Sequence, residues 1–231
     1  MSTVLRREEK FALTAEEAAC YAHRFSQFLR PDASSCNGSY MVRSLYFDTP
    51  DDKDFFDKLN EQNLRRKIRL RIYSPNDPGA KLELKQKENI YQKKRSLSVS
   101  RADALSLLNG RYSVLFNYHE PFAAEMYAIM TGEAYRPCAI VEYRRRAFTA
   151  DGNNVRVTFD SCINANEGNL DLFSSSLPLY PVMDCGKTIL EIKYTHFMPG
   201  YLSGILSQID RRSVSASKYC MSRQLGYSHS F

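Results

Sequence analysis

Arg66-Lys67-Ile68-Arg69-Leu70-Arg71-Ile72 and Lys81-Leu82-Glu83-Leu84-Lys85-Gln86-Lys87 decide the fold class of this 231-residue chain. Side chains along a β-strand alternate between two faces. The first stretch therefore places Lys67, Arg69 and Arg71 on one face and Ile68, Leu70 and Ile72 on the other. The second places Lys81, Glu83, Lys85 and Lys87 opposite Leu82 and Leu84. Each strand thus has one face suited to a core and one built from charge.

The same alternation recurs outward along the chain. Arg6, Glu8 and Lys10 share a face near the N-terminus, Lys93 and Arg95 share one further on, and Glu191 and Lys193 share one opposite Leu190 and Ile192. An antiparallel sheet with one solvated face also alternates in this way, so parity alone leaves two readings open. The charge is not evenly mixed, however: cations predominate, with an isolated Glu among them. Like charges facing each other across strands repel, and a bound anion would relieve that repulsion. Neither GxxxxGK[ST] nor GxGxxG occurs, so phosphate binding would fall to Arg and Lys side chains.

Around these stretches, strands are expected at 5–12, 40–48, 66–73, 80–87, 92–99, 138–149, 154–160 and 187–195. Thr14 reads as a helix N-cap with Glu17 completing a capping box, and Ala18, Tyr21, Phe25 and Phe28 line one helical face before Pro31. Further helices are expected at 51–60, 102–108, 120–131, 199–209 and 216–225. Residues 34–39 and most of 161–180 read as loops, and Asp151-Gly152 as a turn. No linker or repeat interrupts the chain, which reads as a single domain over residues 1–231. The fold class expected is α+β and β-rich: an eight-stranded antiparallel closed β-barrel with peripheral helices.

Composition narrows the setting. Hydrophobic residues make up 43% and charged residues 25%, enough for a core and too ordered for a disordered chain. The formal charge of +6 leans towards anionic partners. With no signal-like segment and no apolar run of membrane-span length, the expected location is cytoplasmic. Cys20, Cys36, Cys138, Cys162, Cys185 and Cys220 are scattered without a CxxC pair, which argues for reduced thiols and against a zinc site. His23, His119, His196 and His229 show neither ligand nor triad spacing. Aromatic residues are not interleaved with the basic positions as a nucleic-acid platform requires, so no nucleic-acid partner is expected.

Ordered motifs along almost the whole chain resemble the VTC domain of polyphosphate polymerases, within the CYTH-like triphosphate tunnel metalloenzymes. Arg6-x-Glu8-x-Lys10 resembles the first-strand motif of stand-alone bacterial VTC-like proteins, and Ser44-Leu45-Tyr46-Phe47-Asp48 the family's S-[IL]-Y-F-D. Arg69-x-Arg71, Glu83-Leu84-Lys85 and Lys93-x-Arg95 resemble its basic strands. Tyr143-x-Arg145-x-Ala147-Phe148, Val155-Arg156-Val157-Thr158-Phe159-Asp160, Leu190-Glu191-Ile192-Lys193 and Ser217-Lys218-Tyr219 follow in the family's order. Arg6 stands where the wider superfamily's E-x-E-x-K begins with Glu, a departure that favours the VTC branch and removes one metal-side carboxylate.

What the resemblance implies is a barrel whose bore holds a phosphate chain, and an enzyme that moves the terminal phosphate of ATP onto polyphosphate. Lys10, Arg69, Arg71, Lys85, Arg145, Arg156 and Lys218 would then serve catalysis, and Arg6, Lys93, Arg95, Lys193 and Ser217 substrate binding. Glu191, with Glu83 and Glu8 as further candidates, would hold Mn²⁺ or Mg²⁺. Tyr46 and Tyr143 read as packing residues, and Asp48, before Thr49-Pro50, as a residue that shapes a turn. A hydrolase of triphosphate or short polyphosphate and a non-catalytic polyphosphate sensor are the alternatives. Any export of product would need a separate membrane partner.

Overall fold

The computed structural model describes residues 6–35, 38–89, 91–150, 154–195, 197–209 and 213–228. In chain order the elements are β1 (Arg6–Thr14), α1 (Ala15–Ser26), β2 (Arg30–Pro31), β3 (Tyr40–Asp48), α2 (Lys53–Leu59), β4 (Leu64–Ile72), β5 (Gly79–Glu88) and β6 (Tyr91–Ser100). They continue with α3 (Arg101–Leu108), α4 (Pro121–Gly132), β7 (Arg136–Ala150), β8 (Val155–Asn166), β9 (Tyr180–Pro181), β10 (Lys187–Thr195), α5 (Gly200–Leu206) and α6 (Lys218–Ser228). Asp151-Gly152, Cys36, His196, His229 and the Arg6 side chain lie outside the described residues.

The hydrogen-bonded strand order is β1-β10-β8-β7-β3-β4-β5-β6, with β2 on β7 and β9 on β8. The architecture is therefore a β-rich α+β fold on an antiparallel sheet. The closed barrel expected from the sequence is not drawn by hydrogen bonds: among the described residues no ladder joins β1 to β6. The start of β6 is an exposed run, Tyr91-Gln92-Lys93-Lys94, and exposed lysines on an edge strand resist further pairing.

Two compact units divide the chain. The first comprises Met1–Met41, Tyr143–Ile163 and Met183–Ser217. Its Thr14 capping box is present: the Thr14 hydroxyl accepts from the Glu17 N–H at 3.2 Å, and the Thr14 N–H donates to Glu17 Oε2 at 2.7 Å. Phe11, Leu13, Val157, Phe159, Leu190 and Ile192 form the apolar sheet face, which packs with Ala18, Tyr21 and Phe25 of α1 and Leu202 and Ile205 of α5. Burying each large side chain of this kind stabilises by about 1.5–3 kcal/mol. Phe28 does not join them. α1 stops at Ser26, and Phe28 lies 60% exposed, stacked on Tyr201 at 5.7 Å.

The second unit comprises Val42–Glu142, Asn164–Val182 and Lys218–Phe231. Leu45, Ile68, Leu70, Leu82, Leu84 and Leu97 make its apolar sheet face, covered by Leu107 of α3 and by Ala123, Met126 and Met130 of α4. The turn expected at Asp48 is a cap: its carboxylate accepts the Thr49, Asp54 and Phe55 N–H groups at 2.8–2.9 Å and so starts α2. One loop expectation is corrected. β8 runs on to Asn166, where Asn164 and Ala165 pair with Pro181 and Tyr180 of β9. Ile163 and Ala165 are buried on alternate positions, which sustains strand rather than loop.

Candidate functional site

In the second unit the arginines of the polar sheet face converge on the Glu83 carboxylate. Arg69 and Glu83 stand directly opposite each other on β4 and β5, and Arg69 Nε meets Glu83 Oε2 at 2.7 Å. Arg71 Nη1 lies 3.7 Å from the same oxygen, and Lys94 pairs with Oε1. Glu83 is 2% exposed. Burial pushes its carboxyl up, but Arg69, Arg71 and Lys94 together outweigh burial and hold it at about 2. Both oxygens are thus engaged by cations, which makes Glu83 a counter-ion that aims them.

Two further contacts orient the arginines. Arg69 Nη1 donates to the Tyr46 hydroxyl at 3.0 Å, and Arg71 Nε donates to Ser44 Oγ at 3.2 Å. Tyr46 and Ser44 face them across the β3–β4 ladder. Tyr46 stacks on Tyr219 of α6 with ring centroids 4.9 Å apart, and the Tyr219 hydroxyl donates to Asp48. The Lys67 ammonium lies 5.7 Å over the Tyr219 ring. Lys67, Lys85 and Lys94 sit side by side on β4, β5 and β6. A row of like charges across strands is destabilising by itself. Lys218 opens α6 and is half-buried.

Lys94 is the residue that the sequence reading passed over. The β5–β6 register pairs it with Lys85, on the polar face, and pairs Lys93 with Gln86 and Arg95 with Leu84, on the opposite face. Lys93 and Arg95 do share a face, as expected, but it is the one turned to α4. There Arg95 pairs with Glu125 (Nη2–Oε1 2.6 Å), donates to the Gln86 amide oxygen at 2.8 Å and lies 5.0 Å over the Phe122 ring. The basic doublet Lys93-Lys94 was the available signal, since one member must fall on each face.

In the first unit the polar face is set by the β1–β10–β8 registers, which align Lys10 with Glu191 and Thr158, and Glu8 with Lys193 and Arg156. Lys10 Nζ lies 2.7 Å from Glu8 Oε1 and 3.8 Å from Glu191 Oε2, and also donates to the Ala216 carbonyl at 3.1 Å. Lys193 pairs with Glu191 and stands 3.8 Å from Glu8 Oε2. Arg145 makes a bidentate pair with Asp160, both contacts 2.7 Å. Arg156 pairs with Asp32 at 2.5 Å and donates to the Tyr40 hydroxyl at 3.2 Å. Ser217 is half-buried.

The metal-side donors are sparse. Among the described residues no three His, Cys, Asp or Glu side chains gather to hold an ion. Glu8 and Glu191 do share the polar face as diagonal neighbours on β1 and β10, and the buried Thr158 hydroxyl opposite Glu191 has no hydrogen-bond partner among the described residues. One or two carboxylates and an unsatisfied oxygen fit Mg²⁺ or Mn²⁺, which take hard oxygen ligands and complete their shell with phosphate and water.

Known proteins add to this geometry. A candidate adenylate cyclase of Bacillus halodurans is similar to this chain with a TM-score of 0.53, covering 94% of each chain at 14% identity, a likeness of fold. A conserved hypothetical protein of Pyrococcus furiosus gives 0.49, over 92% of this chain and 96% of its own, at 10% identity. No curated protein matches. The VTC domain model matches residues 5–227, all but the two ends of the sequence, and the chain belongs to the VTC domain family.

Proposed function

We propose that this domain is a metal-dependent phosphotransferase that moves the terminal phosphate of ATP onto a polyphosphate chain. The observation that carries this reading is the polar face of the second unit, where Lys67, Arg69, Arg71, Lys85 and Lys94 share one face and Arg69, Arg71 and Lys94 close on the buried carboxylate of Glu83. Held apart in water, these cations would repel. A row of phosphates offsets that repulsion, and Arg forks match phosphate oxygens. Phosphoryl transfer asks a protein mainly for alignment and charge neutralisation. An oxygen of the chain end attacks the γ-phosphorus, its bond to the bridging oxygen breaks, and ADP leaves.

Arg69 and Arg71 are held ready by Glu83, Tyr46 and Ser44, so little reorganisation accompanies binding. In the first unit Lys10, Arg145, Arg156 and Lys193 supply further phosphate contacts, and Glu191, with Glu8 beside it, is the carboxylate for Mn²⁺ or Mg²⁺. When bound, the ion neutralises charge on the transferring phosphate. The closed eight-stranded barrel that the resemblance implies belongs to the same proposal. So does action in the cytoplasm, with any export left to a separate membrane partner; no helix among the described residues is long and apolar enough to cross a membrane.

Incubation with ATP and Mn²⁺, followed by gel and phosphorus NMR, tests the reading. Long phosphate chains that disappear in Glu191→Gln support it. Free phosphate without chains would assign a hydrolase, and tripolyphosphate binding without turnover a sensor. Calorimetry at low salt should show tripolyphosphate binding that weakens as salt rises, since charge is screened over about 10 Å at 0.1 M.

A further inference from the structure

We infer that the Thr158 hydroxyl is a second protein ligand of the divalent cation at Glu191. This rests on the phosphotransferase reading only through that cation. The β10–β8 register sets Thr158 directly opposite Glu191. Directly opposed residues of an antiparallel pair point to the same face, with Cβ atoms about 4.5–5.5 Å apart. Thr158 is 2% exposed, and its Oγ1 has no hydrogen-bond partner among the described residues.

Buried hydroxyls nearly always find a partner, because leaving one unpaired costs free energy. The polar neighbours that could have served Thr158 are turned elsewhere. Arg156, two residues before it, is held by Asp32 and Tyr40, and Asp160, two residues after it, is held bidentately by Arg145. Glu191 pairs with Lys193 and Lys10 and lies within electrostatic reach of Arg145. The hydroxyl and the carboxylate thus stand on the same face of the sheet, on the adjacent strands β8 and β10. Hard divalent cations take such oxygens, and a hydroxyl beside phosphates is an established partner for Mg²⁺ in phosphoryl-transfer proteins.

Mn²⁺ binding to the full chain, without nucleotide or phosphate, is the test, read by electron paramagnetic resonance and calorimetry. Thr158→Val keeps the side-chain shape and removes the hydroxyl. It should weaken Mn²⁺ binding about tenfold, the lower end of what lost supporting groups cost metal sites. Thr158→Ser should bind as the unaltered chain does. The metal-free melting temperature of Thr158→Val should stay level or rise, because an unpaired buried polar atom has gone; that keeps a binding loss from being misread as unfolding. If Glu191→Gln abolishes Mn²⁺ binding while Thr158→Val leaves it intact, this inference falls and the function proposed above stands. The inference also falls if Thr158→Val weakens only tripolyphosphate, which would make the hydroxyl a phosphate donor. If the unaltered chain binds no Mn²⁺, the cation position falls and both go with it.

Discussion

Replacing Glu83 by Gln should cost the fold about 3 kcal/mol at neutral pH while strengthening its hold on polyanions. Arg69, Arg71 and Lys94 hold the Glu83 carboxyl at about 2, against a reference of 4.5. At about 1.4 kcal/mol per pK unit, that difference is worth roughly 3 kcal/mol. The folded value is depressed, so this stability is present above pH 4.5 and is lost as pH falls towards 2. The figure agrees with the loss of about 3–5 kcal/mol seen when one partner of a buried ion pair is removed. For a chain of this size each kcal/mol moves the melting temperature by about 2–4 °C, so the variant should melt about 6–12 °C lower in low-salt, phosphate-free buffer. Tripolyphosphate at about a hundred times its Kd should return roughly 2.7 kcal/mol by mass action. Scanning calorimetry from pH 2 to 7, with and without tripolyphosphate, reads all of this. A variant that melts within about 1 °C of the parent at pH 7, or that loses stability between pH 4.5 and 2 as steeply as the parent, would show that Glu83 does not hold the cations together.

Lys94→Ala should weaken tripolyphosphate binding by about tenfold, the loss of one charge-assisted contact, whereas Arg95→Ala should leave binding unchanged and lower stability through Glu125 and Phe122; calorimetry and urea unfolding separate the two. Burial and the neighbouring Asp48 carboxylate raise Asp54 to about 7. A raised carboxyl stabilises the fold below its unfolded value of 3.8 and withdraws that stability as pH climbs to about 7. Asp54→Asn should remove that slope and raise stability at pH 8 by about 2–4 kcal/mol, measured by urea unfolding across the pH range. Asp48→Ala leaves the first N–H groups of α2 and the Tyr219 hydroxyl without their acceptor, and should cost about 3 kcal/mol in urea.

Alternation is a property of neighbouring residues along one strand, and so it could be read without a fold. It separates Lys67, Arg69 and Arg71 from Ile68, Leu70 and Ile72 because successive side chains must point to opposite faces. The Thr14–Glu17 capping box is legible for the same reason, since its groups lie three residues apart. Register between strands is another matter. Nothing in Lys93-Lys94-Arg95 says which parity class meets the Glu83 face; the turn between β5 and β6 decides it by pairing Glu88 with Tyr91 and hence Lys94 with Lys85. Contacts between distant segments were equally hidden. Asp48 and Tyr219 are 171 residues apart, and Arg66 and Glu133 are 67 apart. Glu83 reads in the chain as a candidate metal ligand and becomes, once three cations from two neighbouring strands close on it, their common counter-ion. A side chain's type and parity are local, but its partner, and therefore its charge state and its work, is set by which strands the chain lays beside it.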